Sequence, residues 1–183
     1  TRDGAPRPSA IHAIAIGVSA YGDGHDLKYA AKDATEVAAA IAQVAGKDAK
    51  VTTTVLRDAQ VTRASILGLR RALEATARED TVIMFISGHG LLDPDDDRYL
   101  FATADVDFDA PRGKGVSFDE LEGLLDGIPA RRRVLMIDTC HAGEMDPEEL
   151  AFVERAERAG AKGVRRVPVR PRVKPRVDPR ARA

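Results

Sequence analysis

One cysteine, no tryptophan and 4% aromatic residues are what this 183-residue chain has least of. A lone cysteine cannot close an internal disulfide, so no covalent framework holds the fold, and a reducing, cytoplasmic setting fits best. No stretch of eighteen consecutive apolar residues occurs, which leaves no membrane-spanning helix to expect. Neither a GxGxxG nor a GKS/GKT pattern follows any apolar run, so a nucleotide-binding loop has no support. No internal repeat is present. What is there, 44% apolar and 31% charged residues over a length near one domain, excludes disorder throughout and a collagen-like repeat. Thr1 stands where an initiator methionine would, which reads as a processed or excised piece.

The net charge of −1 hides a partition. From Val164 to Ala183 there are eight basic residues and one acid, Asp178, against 20 basic and 28 acidic residues before it. That tail also carries Pro168, Pro171, Pro175 and Pro179, whose missing N–H groups forbid helix and discourage strand. It reads as an extended basic linker or arm over 164–183, after a short extension over 1–10 and a body over 11–163. The arm has no aromatic residue on which a base could stack, so nucleic acid is not the expected partner.

Within the body, apolar β-branched runs predict buried strands at Ile11 to Val18, Thr81 to Ser87 and Val134 to Asp138, and Val51 to Leu56 is a further strand candidate. Apolar residues at helical spacing predict helices at Ala30 to Ala45 and Thr62 to Ala77. Ser117 with Glu120 forms a capping box for a helix ending at Gly127. Asp146, Pro147 and Glu149 open another, to about Ala159. The run from Thr81 is apolar on both faces, as a central parallel strand requires. Strand and helix alternate, so the expected architecture is an α/β fold: a three-layer α/β/α sandwich around a mostly parallel sheet.

In such sheets, working groups collect beyond the carboxyl ends of the strands. Two strands end in chemistry: one runs into Ser87-Gly88-His89-Gly90, another into Asp138-Thr139-Cys140-His141. A thiol attacks only as thiolate, and a free cysteine with a pKa of about 8.5 needs a base beside it near neutrality. His89 is the candidate base and Cys140 the candidate nucleophile. The glycines beside the histidine, Gly90 among them, would let backbone N–H groups approach a substrate carbonyl, with the N–H of Cys140 as a second oxyanion donor. Zinc at Cys140 and His141 lacks a ligand pair of structural spacing. His12 and His25 read as structural or solvated.

These residues resemble the caspase-like cysteine peptidases. Histidine precedes cysteine by 51 residues, each just after an apolar strand, as in caspases. FISGHG and IDTCHAG look closest to the metacaspases and bacterial caspase homologues, whose usual nucleophile motif is Asp-Ser-Cys-His-Ser-Gly; Thr139 and Ala142 replace its serines. Leu27, Ala30, Asp33 and Ala34 match that family's opening, and the resemblance runs from about Ile11 to Met145. It implies a Cys–His dyad acting through a thiol acyl-enzyme.

The resemblance also implies a specificity. Animal caspases read Asp before the scissile bond with arginines, one just after the cysteine, where this chain has His141. Asp138 and Asp33, which matches the family's other pocket acid, imply a negative pocket for Arg or Lys. The basic arm then holds self-processing sites at Arg172–Val173 and Arg176–Val177. Calcium is an activator of many metacaspases, and Asp97, Asp119, Glu120 and Asp146 offer oxygens of the type it prefers, without EF-hand spacing. The caspase fold has six strands, so the chain looks like a large-subunit part whose partner is a small-subunit segment or effector domain. The alternative function is a non-catalytic caspase-homology module that docks a partner through the arm.

Overall fold

The computed structural model describes residues 9–45, 50–93 and 98–139. The expected helix from Asp146, the basic arm and the 1–8 extension lie outside them. Four strands, β1 (Ala10–Gly17), β2 (Lys50–Arg57), β3 (Thr81–Gly88) and β7 (Arg132–Thr139), form a parallel sheet in the order β2-β1-β3-β7. The interior strands β1 and β3 are the ones whose sequences, AIHAIAIG and TVIMFISG, are apolar on both faces. Strand β2 puts Thr52 and Thr53 in solvent, as an edge allows.

The layers follow from the alternation of side chains along each strand. Helix α1 (Ala30–Val44) covers one face, where Ala34 and Ala38 pack with Ala15 and Phe85. Helices α2 (Arg63–Glu74) and α3 (Phe118–Leu125) cover the other. There Ile66, Leu69, Leu73, Leu121 and Leu124 join Ile14, Ile16, Val82, Met84 and Ile86 in the main core. The three-layer sandwich expected from the sequence is therefore present, and the Ser117–Glu120 capping box forms as expected. Among the described residues, no helix is long and apolar enough to cross a membrane.

Two features differ from expectation. Strand β7 is not buried: Val134 and Met136 are 39% and 36% exposed. They lie on the α1 side, paired with Ile83 and Phe85, whereas α1 packs over β1, β2 and β3. The opposite side of β7, Leu135 and Ile137, does meet the core. The second is a small antiparallel sheet of β4 (Gly90–Leu92), β5 (Tyr99–Phe101) and β6 (Val116–Ser117), too short for apolar alternation to announce.

Each end of the sheet is fastened separately. At the amino ends, buried Asp80 accepts the N–H groups of Ala10 (2.9 Å) and Ala77 (2.8 Å), and its Oδ2 lies 3.1 Å from His12 Nε2. At the carboxyl end, α1 lies so close to β1 that a Cβ on Gly17 would stand 2.8 Å from the Ala34 Cβ and press on the Ala30 carbonyl. Backbone cannot yield as a flexible side chain can. Gly17→Ala should therefore lower stability by about 1–3 kcal/mol, measured by urea unfolding, through overpacking.

Candidate active site

Parallel pairing aligns the strand ends. Gly17 pairs with Ser87, Ser87 with Asp138, and Gly88 with Thr139. His89 follows Gly88 in the sequence, and Cys140 follows Thr139, the pair partner of Gly88. Cys140 itself lies outside the described residues, as do Asp97 and Asp146.

The imidazole of His89 is held on several sides. Its Nε2 lies 2.8 Å from the carbonyl oxygen of His25. A carbonyl only accepts, so Nε2 carries the hydrogen and, in the neutral ring, Nδ1 carries the free lone pair. The Tyr21 ring stands 4.9 Å away, and Phe108 meets His89 edge-on at 5.6 Å while stacking on His25 at 3.9 Å. The backbone N–H of His89 donates to Tyr21 Oη at 3.0 Å.

Tyr21 and His25 come from the loop between β1 and α1, and Phe108 from the segment between β5 and β6; the first loop is shaped by bonds from its backbone N–H groups to two carboxylates. Gly22, Asp23 and Gly24 all have positive φ, conformations that glycine adopts freely. Asp26 Oδ1 accepts from Tyr21 and Gly22, both at 2.8 Å, while Asp58 Oδ1 accepts from Ser19 and Ala20 at 2.8 and 3.0 Å. The N–H groups of Gly22 and Tyr21 hold the Asp26 carboxyl below its usual pKa. The glycines beside His89 prove to have a packing reason as well. A Cβ on Gly88 would fall 2.6 Å from Tyr21 Oη and 2.9 Å from the Phe101 ring. Gly90 is buried at the start of β4, opposite Phe101.

The family model for the caspase domain, peptidase C14, matches residues 10–176. The chain belongs to the caspase-domain family. Families of this domain are typically cysteine peptidases. Among solved structures, protein GSU0716 from Geobacter sulfurreducens, a structural-genomics target, is similar at a TM-score of 0.57 and 23% identity. The similarity covers 78% of this chain and 54% of that one, so the chain spans about half the length of that relative and shares its fold. No curated protein matches the sequence.

Within this caspase domain the acids expected to bind substrate lie on one face at one level. Asp138 is exposed and shares the α1 side of the sheet with its pair partner Ser87. Asp33 is half-buried in the first turn of α1, beside the Ala34 that packs against Gly17. The two acids therefore flank the carboxyl end of the sheet, from the helix and from the strand.

Of the acids considered for calcium, Asp119 and Glu120 are among the described residues. Among the described residues no three His, Cys, Asp or Glu side chains stand close enough to hold a metal. Glu120 is already engaged: Arg63 Nη1 donates to its Oε2 at 2.7 Å, Arg63 Nη2 bonds Oε1, and the Ser117 N–H donates to Oε2 at 3.0 Å. Asp119 is exposed in the first turn of α3.

Tyr21, Phe108 and Tyr99 were not singled out from the sequence, and His25 was read as structural or solvated. Their roles run through a hydroxyl, a ring face and a backbone carbonyl, which residue identity alone does not signal. Burial pushes the Glu120 carboxyl up, but Arg63 and Ser117 outweigh it and hold the pKa below its ordinary 4.5. A depressed carboxyl stabilises fully above its ordinary value and loses that contribution as pH falls through the folded value. Glu120→Ala should therefore cost about 1–2 kcal/mol near neutrality. In urea unfolding, the gap from the natural chain should close as the pH is taken well below 4.5.

Proposed function

We propose that this chain is the nucleophile-bearing part of a metacaspase-like cysteine endopeptidase that cleaves after Arg or Lys. The observation that supports it most is the pairing of Gly88 with Thr139, one residue before His89 and Cys140. His89 has its Nε2 committed to the His25 carbonyl, which leaves Nδ1 as the nitrogen that takes the thiol proton.

The Cys140 thiol gives its proton to Nδ1, and the thiolate adds to the scissile carbonyl carbon. The oxygen takes up the electron pair as an oxyanion, stabilised by backbone N–H groups beyond the strand ends. The N–H of His89 is bonded to Tyr21, so Gly90 and Cys140 are the donors assigned here. Collapse of the adduct expels the amine, which receives the proton from His89, and leaves a thioester. A water then gives a proton to Nδ1 and attacks the thioester carbonyl; the C–S bond breaks, the carboxylic acid product leaves, and the sulfur takes the proton back from Nδ1. A thiol nucleophile of this kind works in a reducing compartment, consistent with a cytoplasmic enzyme.

Specificity rests on Asp33 and Asp138, which would receive the guanidinium or ammonium of the residue before the scissile bond. The open edge of β7 and its uncovered Val134 and Met136 suit a small-subunit segment that continues the sheet. Asp97, Asp119 and Asp146 are the proposed calcium contributors, since Glu120 already serves Arg63 and the α3 cap.

Paired fluorogenic peptides ending in Arg and in Asp, with and without calcium, test these assignments on the natural protein that carries this chain. Cleavage after Arg should fall to background in Cys140→Ala without loss of folding, since a small apolar residue remains. Turnover that survives in that variant would dismiss the dyad and favour a docking module. Asp138→Ala should reduce kcat/KM for the Arg peptide roughly tenfold to a hundredfold, the value of one charged contact. An unchanged preference would take Asp138 out of the pocket.

A further inference from the structure

His89 is the single residue between β3 of the parallel sheet and β4 of the small antiparallel one. Its carbonyl accepts from Ala102 N–H at 2.9 Å, the first rung of the β4–β5 ladder. In an ordinary ladder the His89 N–H would return the bond to the Ala102 carbonyl. Here the Tyr21 hydroxyl stands between them, accepting from His89 N–H at 3.0 Å and donating to Ala102 O at 3.2 Å. One oxygen atom thus bridges the rung, and the missing Cβ of Gly88 makes room for it.

The other half of the site carries a similar contact. Buried Tyr99, in β5, shares a hydrogen bond of 3.1 Å between its hydroxyl and Oγ1 of Thr139, the residue before Cys140. Both tyrosine hydroxyls therefore reach to within one residue of a dyad member, one acting on β4–β5 and one from it.

We propose that Tyr21 and Tyr99 are positioning residues that set the separation of His89 and Cys140, an inference resting on the peptidase reading above. Without the Tyr21 hydroxyl, His89 either closes on the Ala102 carbonyl, which moves its ring, or leaves two backbone groups unpaired. Without the Tyr99 hydroxyl, the end of β7 loses its link to the small sheet that begins beside His89. Fixed geometry matters because a proton passes between the residues only at hydrogen-bond distance.

The pH dependence of alkylation by iodoacetamide reads this directly, since Cys140 is the single cysteine of the chain and no peptide substrate is needed. The natural chain should reach half-maximal rate at least about one pH unit below His89→Ala, because the imidazole stabilises the thiolate. Tyr21→Phe and Tyr99→Phe should each recover half or more of that gap while keeping cooperative thermal unfolding. Thr139→Val should behave as Tyr99→Phe does, and Thr139→Ser, which keeps the hydroxyl, should behave as the natural chain. The threonine pair tests the second contact without touching the tyrosine ring. A phenylalanine variant whose profile tracks the natural chain would overturn the role of that tyrosine. Coincidence of the natural chain with His89→Ala would instead dismiss the dyad, and the positioning role with it.

Discussion

The pairing of β3 with β7 is the constraint on which the rest depends. Parallel strands in register carry whatever follows them to the same edge at the same height. A histidine and a cysteine 51 residues apart in sequence thereby follow paired residues, Gly88 and Thr139. A slip of one residue in β7 would exchange its two faces. Leu135 and Ile137 would leave the core, and Asp138 would leave the α1 side. The hydrophobic pattern that fixes the strand thus also fixes which residues end beside one another at the sheet's carboxyl edge.

Around that pairing, the site is held mostly by backbone groups. The carbonyl of His25 sets the tautomer of His89, and the carboxylates of Asp26 and Asp58 shape the loop that carries it. Much of the precision therefore rests on peptide N–H donors gathered by two carboxylates, so that loss of Asp26 or Asp58 would free a whole set of loop contacts at once. What can vary is the loop's conformation, and its three consecutive positive φ angles restrict that too.

Much of this was legible in the sequence. The doubly apolar run from Thr81 identified β3 as interior, the apolar run from Ile11 identified β1 as a buried strand, and Ser117 with Glu120 located the start of α3. The motifs at FISGHG and IDTCHAG marked the caspase domain. What escaped was of two kinds. Strand β7 looked buried because its composition is apolar, yet the reach of α1 over the sheet decides exposure, and that is a tertiary fact. The three short strands and Tyr21 escaped because two or three residues show no period and a hydroxyl's partner is a matter of geometry.

The uncovered side of β7 has a practical consequence. A strand that among the described residues pairs on one side only, with Val134 and Met136 exposed, is a template for any other chain with free N–H and C=O groups. The charges that commonly blunt such edges stand at its two ends, Arg132 and Arg133 at one and Asp138 at the other, with four apolar residues between. Concentrated preparations of this chain by itself are accordingly prone to sheet-to-sheet aggregation along β7, and solubility becomes a measure of how well that edge is capped.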